Sequence, residues 1–202
     1  VLIFDESTSG FRKIVGGHHL TVGVDPDMAV FGKTLGNGYA ISAVIGREEV
    51  MDAARDLFIS STFWSERIGP SAALETLRVM AEEGAPMRVH EVGMQYRSLL
   101  TQALLDRGFS VGFSGIPALT AVTLNESMDP PLLKTFVARE LLLRGYLSGP
   151  VLFASIPHVA LLEDFAEAMA GTLARAMQLG PSGIREDLGD QPLATSGFAR
   201  LA

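Results

Sequence analysis

Lys33 stands in V-F-G-K-T-L-G-N-G-Y, residues 30–39, after a short apolar run and before a glycine-rich turn. A lysine holds a carbonyl compound as a Schiff base only after its ammonium gives up a proton, and partial desolvation at a strand end that opens into a cleft favours that loss. Upstream, L-I-F-D-E places Asp5 directly after an apolar run, so its carboxylate is expected at the carboxyl end of a buried strand, where α/β sheets bind ligands. An amine and a carboxylate are therefore expected to face one crevice.

Two nucleotide readings of the same stretch fail. G-K-T at 32–34 is how a phosphate-binding loop ends, but that loop needs a glycine five residues before Gly32, and Asp27 stands there with a charge that repels phosphate. A dinucleotide fingerprint fails because Gly36 and Gly38 are followed by Ile41 where the third glycine is required. Taken alone, Lys33 reads as an ordinary solvated lysine, Asp5 as a helix cap and Thr62 as a turn hydroxyl. Only their joint occurrence argues for chemistry.

Three ordered segments carry that argument: F-D-E-S-T-S-G-F-R at 4–12, G-V-D-P-D-M-A-V-F-G-K-T-L-G-N-G at 23–38, and S-S-T-F-W-S-E-R-I-G-P at 60–70. Together they resemble the class III aminotransferases, in particular the glutamate-1-semialdehyde aminomutase-like branch of that pyridoxal-phosphate family. The resemblance runs to about residue 179 and is strongest in the first 80. It implies the α/β, type I fold of pyridoxal-phosphate-dependent transferases, with the end of a large-domain sheet followed by a small α+β carboxyl-terminal domain. By the same resemblance, Lys33 matches the lysine that binds the cofactor and moves the proton. Asp5 matches the aspartate that pairs with the pyridine nitrogen, and a protonated nitrogen makes the ring an electron sink. Thr62 matches the threonine that reaches the cofactor phosphate of a neighbouring subunit, which implies a homodimer with its site at the interface. The implied substrates are a small-molecule amino donor and a carbonyl acceptor. Intramolecular amino transfer, the aminomutase reaction, uses the same residues and remains an alternative.

The chain also departs from the family pattern. Ser7 stands where the family has an apolar residue packed on the cofactor ring, and Asn37 replaces a glycine, although Asn tolerates positive φ. Phe63, Trp64 and Ser65 occupy the place of a small-residue turn, so a more aromatic pocket is expected. The family's phosphate-binding loop and ring-stacking aromatic lie upstream of the matched segments, and neither is recognised here. V-L-I-F at 1–4 reads as a buried central strand with no partner strand before it. The expectation is a carboxyl-terminal portion of a longer enzyme, inactive by itself and exposing an apolar edge. A catalytically silent dimerisation module is the reading from another class.

Composition excludes several other classes. A hydrophobic content of 48% in 202 residues suffices for a sizeable core. A formal net charge of −7 without basic runs opposes nucleic-acid binding, and no stretch approaches the ~20 apolar residues of a membrane helix. The absence of cysteine rules out disulfides and thiolate metal sites and suits the cytoplasm.

Periodicity supplies the elements that must position these groups. Strand-like runs at 1–4, 28–31 and 41–46 precede a helical stripe of Ile68, Ala72, Leu74, Leu77 and Met80 that ends at Gly84. A second helix from Pro86 carries Val89, Val92, Tyr96, Leu99, Leu100 and Leu104 as far as Gly108. Strands at 109–113 and 119–124, a helix at 131–144, a strand at 151–155 and a helix at 161–178 complete an α+β unit. The expected divisions are 1–84 for the large-domain part, 85–179 for the linking helix and small domain, and 180–202 for a mobile tail. His18-His19 is not read as a metal site, because adjacent residues on an extended segment point opposite ways. His90 is expected on a polar helix face, His158 in a structural hydrogen bond, Arg12 in a structural role with Glu6 or on a substrate carboxylate, and Trp64 lining the pocket.

Overall fold

The computed structural model describes residues 1–124 and 128–195. The chain divides into two units, Val1–His90 and Glu91–Ala202. In the first, β1 (Ile3–Glu6), β2 (Met28–Phe31) and β3 (Ala43–Gly46) form a sheet in that order. β1 runs parallel to β2, with Asp5 opposite Val30 and Glu6 opposite Phe31, and β3 is antiparallel to β2. A short helix α1 (Glu48–Met51) and the long α2 (Ile68–Glu83) follow.

Asp27, the residue that rules out a phosphate-binding loop, ties the strand starts together. Its carboxylate accepts the Leu2 N–H at 2.7 Å and lies 3.4 Å from Arg47, while its carbonyl accepts the Arg47 N–H. This clamp fixes the parallel register of β1 on β2, on which the site depends.

The core of this unit lies on one face of β2. Ala29 and Phe31 alternate inward and pack with Phe11, Leu35, Ala73 and Met80, with Leu77 and Ile41 partly buried beside them. The buried stripe of α2 is therefore Gly69, Ala73, Leu77 and Met80, rotated from the expected one: Ile68 is 61% exposed and Leu74 71%. Counting large apolar residues overlooks the small ones that let the helix approach. A Cβ on Gly69 would sit 2.7 Å from the Ala40 carbonyl oxygen. The strand expected at 1–4 is shifted by two residues, and the apolar edge expected there is exposed. The strand is Ile3–Glu6, and Val1, Leu2 and Ile3 are exposed, because only β2 pairs with β1 among the described residues.

The helix α3 (Ala85–Leu105) crosses the boundary between His90 and Glu91, so the division falls six residues inside it rather than at Gly84. In the second unit, Val92, Tyr96, Leu100 and Leu104 recur every four residues and are buried. An antiparallel sheet of β4 (Gly112–Ser114), β5 (Leu119–Thr123) and β6 (Val151–Phe153), together with α4 (Pro130–Leu143) and α5 (Leu162–Leu188), completes the unit. Phe165 of α5 stacks on Tyr96 with ring centroids 5.7 Å apart.

The tail expected from residue 180 is instead helical as far as Leu188. Gly180 (φ 63°) kinks α5, and the helix resumes from Pro181. Two forces hold the resumed turn: burial of Ile184 and Leu188, and a charge network around Glu140. The Glu140 carboxylate meets Arg139 at 3.1 Å, Arg144 at 3.2 Å and Arg175 at 2.7 Å, and Asp187 binds both Arg139 and Arg175. Burial opposes the Glu140 charge, yet the three arginines outweigh it and hold this carboxyl below its usual range. Further on, the Ala194 N–H donates to Thr135 at 2.7 Å; residues 196–202 of the expected tail lie outside the described residues.

Candidate active site

Parallel pairing makes β1 and β2 leave the sheet at the same edge, so the residues just beyond Glu6 meet those just beyond Phe31. A Cβ on Gly32 would lie 3.7 Å from the Ser7 Cβ, and the Lys33 Nζ donates to the Thr8 hydroxyl. Lys33 opens a 3₁₀ turn, Lys33–Leu35, in a left-handed conformation with φ 34°. Such a backbone costs about 1–3 kcal/mol in a non-glycine residue and must be held by its surroundings. Here the Leu35 N–H donates to the Gly32 carbonyl at 2.8 Å and the Asn37 N–H to the Lys33 carbonyl at 3.0 Å. Asn37 itself takes φ 46°, the conformation its side chain tolerates at the usual glycine position.

Asp5 is solvent-exposed and accepts the Ser7 N–H at 3.0 Å. The Ser7 hydroxyl, then its N–H, hold the Asp5 carboxyl below the usual carboxylate range, and the Lys33 charge adds to the same effect. The result is an accessible carboxylate that stays ionised, in the electrostatic field of an accessible amine.

The neighbouring acid faces the other way, since successive strand side chains alternate. Glu6 is 2% exposed. It accepts the Ser9 hydroxyl, the His19 N–H at 2.8 Å and the His19 ring Nδ1 at 3.1 Å. Burial pushes its carboxyl up, but these donors, with the His18 N–H, more than offset that and leave it below its ordinary value. Glu6 thus anchors both ends of the loop 7–19. At the bend between them Gly10 donates to the Glu6 carbonyl at 2.9 Å, and a Cβ there would lie 2.8 Å from both that oxygen and the Phe31 ring. Arg12 then turns back, its Nε donating to the Thr8 carbonyl at 3.2 Å, and burial lowers its basicity.

The structure brings Asp5, Ser7 and Lys33 to one edge. Thr62 lies on the exposed turn 62–65 and makes no hydrogen bond to them among the described residues. Trp64 and Phe63 on that turn are 70% and 55% exposed, so neither is packed in the core. Among the described residues, the His158 Nδ1 is buried with no hydrogen-bond partner. Sequence reasoning passed over Thr8 altogether and took Glu6 only as a partner for Arg12. The alternation of D-E along a strand was the available signal for Glu6, whereas Thr8 gains meaning only once the register of residues 3–6 on 28–31 is known.

Residues 1–140 match the class-III aminotransferase family, and the chain belongs to that family. It is 36% identical over 127 residues to a 3-aminobutyryl-CoA aminotransferase of Cloacimonas acidaminovorans, a match covering 62% of this chain and 31% of that protein. It is 34% identical over 137 residues to a glutamate-1-semialdehyde 2,1-aminomutase of Natronomonas pharaonis, covering 65% of this chain and 30% of the relative. The chain thus spans about a third of the length of these relatives. Among solved structures, it superposes on a Sphingopyxis protein in its PLP internal aldimine form with a TM-score of 0.77 at 26% identity, over 89% of this chain and 45% of that one. An omega-transaminase from Sphaerobacter thermophilus gives 0.74 at 26% identity, over 87% and 44%. The fold is that of the pyridoxal-phosphate-dependent transaminases.

Proposed function

We propose that this chain carries the amine and the ring-nitrogen partner of a pyridoxal-phosphate site that transfers an amino group from a small-molecule donor to a carbonyl acceptor. One observation carries the reading: Lys33 and Asp5 emerge at the same edge of a parallel strand pair, the amine exposed and the carboxylate held ionised. These groups fit the cofactor chemically. An aldehyde requires a primary amine, a pyridinium nitrogen requires a carboxylate that does not protonate, and the small side chain of Ser7 still leaves room for a flat ring beside it. When bound, pyridoxal phosphate supplies the electron sink that makes an amino acid's α-proton removable.

The work of the chain's own residues follows from their places. Lys33 would hold the cofactor aldehyde through its amine, and the same amine, once free, would take and return the proton at the substrate carbon. Asp5 keeps its charge on the ring nitrogen, and Ser7 preserves that charge through its two hydrogen bonds. Thr62, on an exposed turn with no partner inside the site, is assigned to the phosphate of a second subunit in a homodimer. Exposed Leu57, Phe58, Ile59, Phe63 and Trp64 around it support such an interface. No helix among the described residues is long and apolar enough to cross a membrane, and with no cysteine in the chain we place the enzyme in the cytoplasm.

The test is half-transamination. The protein loaded with pyridoxal phosphate is mixed with a panel of amino donors and its visible band is followed. The band should shift with a matching donor and fail to form on Lys33→Ala; normal turnover by Lys33→Ala would overturn the assignment. Aminomutase relatives favour a second reading, intramolecular transfer. Isomerisation of a single amino-aldehyde substrate without added acceptor distinguishes it.

A further inference from the structure

The Lys33 amine donates to the Thr8 hydroxyl. We propose that Thr8 is a positioning residue for Lys33, holding the amine at the strand edge in both of its protonation states. The proposal deepens the cofactor reading and rests on it for the reaction, but the contact itself needs no cofactor.

A hydroxyl suits this place because it both accepts and donates. An ammonium donates to Oγ1, and after losing its proton the amine accepts the Thr8 O–H through its lone pair, so the same pair survives the change. A carboxylate there would favour only the cation, and an aliphatic side chain would hold neither form. Threonine adds rigidity, since branching at Cβ restricts χ1. Its backbone is fixed from two sides: Arg12 donates to the Thr8 carbonyl, and buried Glu6 binds Ser9 and His19 across the loop. Lys33 is fixed as well, by the left-handed turn and its Gly32 and Asn37 hydrogen bonds. Two constrained residues thus meet through one hydroxyl. Asp5, whose carboxylate interacts electrostatically with Lys33, stays in place in every variant below.

The chain contains three lysines, Lys13, Lys33 and Lys134, and a digest that cuts at aspartates, Asp25 and Asp27 among them, puts each in its own peptide for a mass-spectrometric map. Competitive acylation with limiting acetic anhydride, without cofactor and across a pH series, reads the nucleophilicity of Lys33 against the other two. In Thr8→Val the neutral amine's lone pair is no longer occupied by the Thr8 O–H, and Lys33 should acylate roughly threefold to tenfold faster at neutral pH relative to Lys13 and Lys134. Thr8→Ser should return it to within about twofold of the parent. Thr8→Ala serves as a second variant that adds no bulk, and unchanged labelling of Lys13 and Lys134 reports an intact fold. An unchanged Lys33 rate in both Val and Ala variants, or a Ser variant that behaves like Val, overturns the proposal. Loss of the visible cofactor band with the acylation contrast intact would defeat the cofactor reading alone. A normal band with no contrast would defeat the role of Thr8 alone.

Discussion

Two charge clusters in this chain are built on opposite terms. At the β1–β2 edge, Asp5 and Lys33 are exposed, and their neighbours are hydroxyls. In the second unit, Glu140 is 4% exposed and shared among three arginines, two of which also bind Asp187. The first cluster keeps its charges available to something that arrives, and holds Lys33 in a strained backbone to do so. The second spends its charges on one another and on fastening residues 181–188 against α4. Accessibility and incomplete pairing, rather than the number of charges, mark where chemistry is expected.

Removing a charge should therefore affect the two clusters differently. The largest effect is expected at Asp5. Asp5→Asn keeps size and should keep cofactor binding, while donor deprotonation in single-turnover kinetics slows by roughly ten- to a hundredfold or more, as for loss of a hydrogen bond to a charged group. An unchanged rate with cofactor bound would erase the contrast. The Asp5 carboxyl lies below its ordinary value, so its charge is complete above the usual carboxylate range and is lost only as pH falls through the lower folded value. The acid limb of the deprotonation rate should not fall at the ordinary aspartate pH.

At the other cluster the expected loss is stability. Glu140→Gln leaves three arginines without their shared anion and should destabilise the fold by about 2–3 kcal/mol, at the low end for buried pairs because the arginines are partly solvated. Denaturant unfolding checks it, with turnover of the folded fraction unaltered. Glu140 and Asp187 both have lowered carboxyl values, so this contribution is present above the ordinary carboxylate range and disappears in acid below it. Thr62→Val should have the smallest effect. Fold stability should stay within about 0.5 kcal/mol, and cofactor affinity, measured by spectral titration, should fall only a few-fold. A large stability loss there would show that the turn 62–65 is part of the fold rather than a surface awaiting a partner.

Much of the framework was legible because periodicity reports what each element buries. The strand at 28–31, the stop of α2 at Gly84 and the 92/96/100/104 stripe follow directly from apolar spacing. The failures have physical causes. Gly69 and Ala73 define the buried face of α2 through closeness rather than size, so a count of large residues points to the wrong face. Gly180-Pro181 reads as the end of a helix, and the burial of Ile184 and Leu188 with the long-range pairing of Asp187 to Arg139 and Arg175 shows why the helix resumes over 181–188. At the site, Lys33 and Asp5 were singled out through residue type, strand-end position and the family resemblance of the segments around them. Thr8 was not, because its contact spans 25 residues and depends on a register that Asp27 helps to set.

The central claim is that Lys33 is the amine that holds the cofactor. Its most direct test is to load the protein with pyridoxal phosphate, reduce it with sodium borohydride and map the peptides. The account predicts a stable cofactor adduct on Lys33, with Lys13 and Lys134 unmodified at stoichiometric loading. An adduct on either of those two lysines with Lys33 unmodified would contradict it.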